Sequence, residues 1–183
     1  MVNYPAASLE DYQDVQTLNT RSTLRPERRL RIYSKASRDH SRTPVQWSPG
    51  ENAGFSSGEP WFHVNPNYTS LNAEDQLKDP GSVLNFYRRA VELRKTLSCV
   101  RDGTYTEYMP LSGKYYVYAR EDDELSLLVI CRFSSAPGRF RSPKGIDLRE
   151  YELLLSNYED CESSSGGFAA RPWECRVYLR HKK

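Results

Sequence analysis

Leu125-Ser126-Leu127-Leu128-Val129-Ile130-Cys131 is apolar at every position but Ser126, and its reading decides the fold. A run this short and this apolar, bounded by turn residues, predicts a central β-strand. The side-chain period is already two on either side of it, from Cys99 onward. Strands are expected near Thr104–Met109, Lys114–Arg120, Leu125–Phe133, Tyr151–Ser156 and Arg176–Arg180, with turns at Leu111-Ser112-Gly113 and Glu121-Asp122-Asp123. Tyr116 and Tyr118 alternate with Tyr115 and Val117, as the pleat requires. Five or more short antiparallel strands predict a mainly β fold, a small Greek-key β-sandwich or barrel at the C-terminus. Ser163-Ser164-Ser165-Gly166-Gly167 is expected to be a flexible loop between the last two strands.

Upstream of the strands, Val83, Phe86, Ala90, Leu93 and Leu97 recur at spacings of three and four, with Arg88, Arg89, Glu92 and Lys95 on the other side. This predicts an amphipathic helix with Asp79 as cap and Pro80 in its first turn. Residues 37–80 carry five prolines (Pro44, Pro49, Pro60, Pro66, Pro80) and three glycines (Gly50, Gly54, Gly58), which break every periodic pattern. The stretch also holds Trp47, Phe55, Trp61, Phe62 and Tyr68, so it reads as an ordered loop packed on a partner surface. Residues 1–36 are polar. Ser8-Leu9-Glu10-Asp11 predicts a helix start, with Leu9, Tyr12, Val15 and Leu18 at helical spacing, and Arg25-Pro26 opens a second short helix. Glu10, Asp11 and Asp14 are expected in a solvated helix start.

The charge balance narrows the function classes. Twenty-six basic and 24 acidic residues leave a net charge of +2, spread along the chain. Nucleic acid or a membrane surface as partner would want a concentrated basic patch. No apolar run is long enough to span a bilayer, and Met1-Val2-Asn3-Tyr4-Pro5 lacks the features of a signal peptide. Cys99, Cys131, Cys161 and Cys175 contain no close pair of the metal-binding kind. They are expected to be free thiols in a cytoplasmic protein without a cofactor or metal, a Cys161–Cys175 disulfide being the alternative.

The chemistry-bearing residues concentrate in Ser37-Arg38-Asp39-His40-Ser41-Arg42-Thr43-Pro44. A planar guanidinium suits bidentate contact with a carboxylate and can also donate to sugar hydroxyls. Such arginine–aspartate pairs also tie down loops. The wider context is more specific. The octapeptide, then Val45-Gln46-Trp47, Asn52-Ala53-Gly54-Phe55, Pro60-Trp61, Val64-Asn65-Pro66-Asn67-Tyr68, Asn72-Ala73-Glu74-Asp75-Gln76 and Asp79-Pro80-Gly81-Ser82-Val83-Leu84-Asn85-Phe86-Tyr87, resembles the segment after the last barrel strand in oligo-1,6-glucosidases of the α-amylase superfamily (glycoside hydrolase family 13). Ser8-Leu9-Glu10-Asp11-Tyr12-Gln13-Asp14 resembles the stretch just past the eighth strand. Leu153-Leu154-Leu155-Ser156-Asn157-Tyr158 and Pro172-Trp173-Glu174-Cys175-Arg176-Val177-Tyr178 resemble the family's C-terminal β domain. Val45 departs from the family's usual methionine, and His40 from a frequent asparagine.

The resemblance implies that residues 1–98 are the end of a (β/α)8 barrel, its last helix at about 79–98, and that residues 99–183 are the C-terminal β-sandwich. Met1 falls where the family has a methionine past the eighth strand. The catalytic nucleophile, acid/base and third carboxylate of the family therefore have no counterpart here, and no catalytic residue is assigned. Arg38 inherits the role of donating to glucose hydroxyls at the non-reducing end. Arg42 is the second candidate, Asp39 an orienting residue, and Trp47 a supporting aromatic. The expected ligand is an α-glucoside oligosaccharide held by a complete barrel, with the rest of the barrel as partner. By itself the chain is expected to be inactive. A free-standing, non-catalytic β-sandwich module is the alternative, and it would hide Val83, Phe86 and Trp47 in its own core.

Overall fold

The computed structural model describes residues 3–4, 6–20 and 22–182, so the expectations resting on Met1, Val2 and Pro5 fall outside it. The chain forms two compact units, Met1–Leu84 and Asn85–Lys183.

The first unit is poor in regular structure. Its helices are α1 (Val15–Asn19), α2 (Pro26–Ala36) and α3 (Ala73–Lys78), with 3₁₀ turns at Arg38–Ser41, Glu51–Gly54 and Pro66–Thr69. Pro26 opens α2, as the sequence predicts. The first helix does not start at Ser8. Residues 7–11 are bends and a turn, in which the Asp11 carboxylate accepts from the backbone N–H of Ala7 and Ser8. Asp14 is the real cap: its Oδ2 accepts from Thr17 N at 3.1 Å. The apolar stripe read across Leu9, Tyr12, Val15 and Leu18 therefore splits, with Tyr12 buried and Val15 and Leu18 exposed. Asp14 is only 2% exposed, which overturns the solvated placement expected for it.

Two local devices order the proline-rich stretch. Asn72 caps the unforeseen α3 by accepting from Asp75 N at 2.9 Å. Asn52, Ala53 and Gly54 take three consecutive left-handed conformations (φ 48°, 57° and 65°). Their turn aims Ala53 O at the N–H groups of Trp47 and Ser48, at 2.8 and 3.0 Å. A left-handed residue with a Cβ costs roughly 1 kcal/mol; Ala53, fully buried, is held there by these two hydrogen bonds. The apolar centre is small: Tyr4, Tyr12 and Phe62, with Tyr4 edge-on to each of the other two, and Ala6, Leu30 and Tyr33 around them.

The amphipathic helix is α4 (Val83–Thr96), beginning at Val83 rather than at Pro80. A short α5 (Ser98–Asp102) leads into the strands β1 (Thr104–Tyr108), β2 (Tyr115–Glu121), β3 (Leu125–Arg132), β4 (Gly138–Arg141), β5 (Glu152–Ser156), β6 (Gly167–Ala170) and β7 (Cys175–His181). Five of them form an antiparallel sheet in the order β1-β2-β3-β7-β5, and β4 and β6 pair separately. The run Leu125–Cys131 lies in the middle of the large sheet and is buried on both faces.

Pleat and register sort its side chains. Leu128 opposes Ala119 and Tyr178, and Ile130 opposes Val117 and Arg176. This face forms one core with Phe140 of β4 and Phe168 and Ala170 of β6. Leu127 and Val129, opposite Leu179 and Val177, face a second core that includes Cys99 of α5. The sequence reading missed β4 and β6 because each has four residues and only one large apolar side chain. Those side chains, Phe140 and Phe168, are cross-strand partners with ring centroids 5.2 Å apart. The serine–glycine stretch is not a loose loop. Ser164 N donates to Gly167 O at 2.9 Å, and Gly167 opens β6 at φ 130°. A Cβ there would strike Phe140 O.

Arg176 lies on the first of these faces, 2% exposed, its guanidinium 3.6 Å over the Phe168 ring. Glu174 neutralises it at 2.8 Å and also accepts from the Arg171 backbone and side chain at 2.7 and 2.9 Å. Burial raises the Glu174 carboxyl, but the Arg171 donors and Arg176 outweigh it and hold the group below its ordinary value. A carboxyl depressed in the folded state stabilises above its unfolded value of about 4.3, and that stability is lost as pH falls through the folded value. Glu174→Ala, which leaves Arg176 buried without its carboxylate, is expected to cost about 3–5 kcal/mol in urea unfolding. Between about pH 5 and pH 3 the wild type should lose stability more steeply than Glu174→Gln; parallel losses would contradict the assignment.

Candidate functional site

The Arg38–Ser41 turn follows directly on α2. Ser37 ends that helix, and its Oγ accepts from Asp39 N at 3.3 Å. This turn directs the Asp39 side chain inward, where it is fully buried. Its Oδ2 accepts from two successive backbone N–H groups, Gln13 at 2.8 Å and Asp14 at 3.1 Å. Its Oδ1 meets Arg42 Nη1 at 3.2 Å. Asp14 supplies the second carboxylate. Oδ2 caps α1 through the N–H and hydroxyl of Thr17, and Oδ1 accepts from Arg38 Nε at 2.7 Å. Arg42 Nη1 also stands 3.6 Å from Asp14 Oδ1. Two buried acids and two arginines thus balance in charge, as buried charges must.

The two arginines have different positions. Arg42, about one-third exposed, bridges both carboxylates. Arg38 is 57% exposed and is anchored at Nε alone. A guanidinium held at that corner keeps both terminal amino groups for another acceptor, with its plane fixed. Asp39 therefore orients Arg42, while Asp14 orients Arg38. Burial raises the Asp14 carboxyl, but the Thr17 donors and Arg38 prevail and hold it below the usual carboxylate range.

His40 anchors the front of the unit. Its Nδ1 accepts from Tyr4 N at 2.9 Å, so the proton resides on Nε2, which donates to Tyr33 O at 3.0 Å. Trp47 lies apart from the charged cluster. Its backbone bonds to Ala53 and Glu74, and its side chain is 54% exposed. Sequence reasoning missed Asp14 as a member of the site. The signal for Asp14 was an aspartate three residues before a threonine, the spacing of a cap with a side-chain donor at the third helical position.

The family model described as "Alpha amylase, catalytic domain" matches residues 10–103, which contain the whole cluster. The chain belongs to the alpha-amylase family. Among relatives of this alpha-amylase family member, the probable oligo-1,6-glucosidase 2 of Bacillus subtilis (strain 168) is 39% identical, over 100% of this chain and 33% of its own length. The trehalose-6-phosphate hydrolase of Escherichia coli (strain K12) is 35% identical over 98% of this chain and 33% of its own. The crystal structure of Bacillus licheniformis trehalose-6-phosphate hydrolase superposes with a TM-score of 0.87 at 35% identity, covering 100% of this chain and 34% of that one. The chain therefore spans about a third of the length of the relatives it matches. Among the described residues no helix is long and apolar enough to cross a membrane, and no group of three or more potential metal ligands occurs.

Asp39→Ala removes the acceptor of two backbone N–H groups and of Arg42. Amide hydrogen exchange at Gln13 and Asp14 should become at least about tenfold faster, the equivalent of about 1.4 kcal/mol. Arg38→Ala should leave these two amides protected. Equal acceleration in both variants would contradict the separate roles.

Proposed function

We propose that this chain is the C-terminal part of an α-glucosidase of the oligo-1,6-glucosidase type, acting on α-glucosidic bonds of oligosaccharides in the cytoplasm. Residues 1–98 act as the end of the catalytic barrel, and residues 99–183 as a Greek-key β-sandwich that follows it. The observation that carries this reading is the anchoring of Arg38: its Nε is held by the buried Asp14, and its exposed terminal amino groups are free to donate to two neighbouring hydroxyls of a non-reducing glucose. Arg42 and Asp39 hold that arginine's platform. Trp47, with its exposed ring, is the supporting aromatic of this reading.

On this reading the 183-residue chain does not cleave glycosides by itself. Retaining hydrolysis needs a nucleophilic carboxylate and a second one that alternates as acid and base. The most buried carboxylates among the described residues, Asp14, Asp39 and Glu174, are each engaged by backbone donors and arginines. For Asp14 and Glu174 these donors hold the carboxyl below its ordinary value despite burial. The alternative reading, a free-standing module, is supported by the two cores of the second unit. Against it, Trp47 is 54% and Val83 80% exposed, and no residue of α4 is buried. Apolar side chains displayed in this way fit a polypeptide that works against further barrel structure.

The test has two arms. With p-nitrophenyl α-glucoside, the purified chain should release no nitrophenol above blank; release abolished by Asp14→Asn would overturn the reading. A chimera of the B. subtilis relative, in which this chain replaces the third it matches, should hydrolyse the same substrate. Arg38→Ala in that chimera should lower kcat/KM by about 10- to 100-fold, the value of one or two hydrogen bonds from a charged donor. An unchanged kcat/KM would remove Arg38 from the sugar site.

A further inference from the structure

The second unit carries a pair of thiols that the glycosidase reading does not use. Cys131 ends the apolar run of β3, and Cys175 begins β7 directly opposite it. The neighbouring pair, Arg132 and Glu174, exchanges a ladder hydrogen bond, Arg132 N to Glu174 O at 2.8 Å. Cys131 and Cys175 therefore occupy the non-hydrogen-bonded site next to it, where antiparallel strands approach most closely, about 4.5 Å between Cα atoms. The Cys175 backbone turns away instead: its N–H donates to Asn157 Oδ1 at 2.8 Å, and its carbonyl accepts from Asn157 N at 3.4 Å. The two side chains share the face of the second core, both half-buried, and their sulfurs stand 3.3 Å apart. A pair at such a site, with its sulfurs this close, falls within the range a disulfide spans without backbone movement. The expected alternative, Cys161 with Cys175, does not form. Cys161 points to Ser156 Oγ and the Tyr158 carbonyl, and all four cysteines are free thiols.

We propose that Cys131 and Cys175 are a thiol–disulfide switch, closed by a peroxide and reopened by a small dithiol, that ties β3 to β7. The electrostatics assign the order of events. The hydrogen bond from Cys175 favours the Cys131 thiolate in spite of burial, while the same bond and burial push the Cys175 thiol up. Cys131 thiolate attacks one oxygen of hydrogen peroxide; the O–O bond breaks, hydroxide leaves, and Cys131 becomes a sulfenic acid. The Cys175 sulfur then attacks the Cys131 sulfur as its proton passes to the departing hydroxyl, which leaves as water. Two thiols are oxidised, one peroxide is reduced to two waters, and a cross-strand disulfide remains. A dithiol reverses it by exchange through a mixed disulfide. The crosslink closes a chain loop that contains β4, β5 and β6, and so restricts the unfolded ensemble of the second unit.

The experiment treats the full chain with hydrogen peroxide under native conditions, followed by proteolysis without reduction and mass mapping. The expected result is a linked peptide pair containing Cys131 and Cys175, lighter by two hydrogens than the sum of its parts and restored by dithiothreitol. The oxidised chain should melt about 10 °C higher than the reduced one, the effect of a crosslink closing a loop of this length in a small domain. Cys161→Ser should retain the linked pair, and Cys175→Ser should lose it and accumulate Cys131 sulfenic acid, trapped by dimedone. A Cys161–Cys175 link, oxidation of Cys161 alone, or Cys131 and Cys175 both remaining as thiols while Cys161 reacts, would each overturn the proposal. The same outcome in wild type and Cys161→Ser keeps the test independent of whether the Cys175 variant folds.

Discussion

The irregular first unit depends on one buried carboxylate. Asp39 accepts from the N–H groups of Gln13 and Asp14 and from Arg42, and so fastens residues 13–14 to the turn at 38–41 across 25 positions of sequence. Without that fastening Asp14 would not sit where it caps α1 and holds Arg38. The apolar centre of Tyr4, Tyr12 and Phe62 is too small to order such a segment unaided. Polar satisfaction takes the place of a large core: each buried acid in the cluster answers backbone donors and a guanidinium at once. A buried charge left without these partners would be far costlier than the pairing.

The second unit is organised on a different principle. There β3 is buried on both faces, and the register of β2 and β7 about it assigns Val117 and Tyr178 to one core and Leu179 and Val177 to the other. Arg176 and Glu174 extend the same logic into polar chemistry, since a guanidinium over Phe168 is tolerated only with its carboxylate in place. The two units thus present rigid scaffolding of two kinds, one charged and one apolar. The family model spans the charged cluster of the first unit, and the facing thiols Cys131 and Cys175 belong to the second.

How much of this was legible in the sequence follows from where the information resides. The five longer strands and α4 announced themselves because a period of two or of 3.6 repeats often enough to be counted. β4 and β6 did not, since four residues with one phenylalanine each make no period; their place is set by Phe140 meeting Phe168. The helix expected from Ser8 failed because Asp11 and Asp14 both carry cap chemistry. The turn around Ala7 and Ser8 takes Asp11, which leaves Asp14 to start α1. Arg38, Asp39 and Arg42 were marked as a group by spacing and by resemblance. The partner that divides their roles, Asp14, lies 24 residues from Arg38, and no local pattern links the two.

On the proposed reading Asp14 positions Arg38 and does no proton chemistry of its own. The most direct measurement is a carbon-13 NMR titration of the Asp14 carboxyl in the intact chain. Ionisation is expected below the ordinary aspartate value of about 3.9, with a rise toward that value in Arg38→Ala. A midpoint near neutral pH would mark Asp14 as a group poised to give up a proton, and would contradict it.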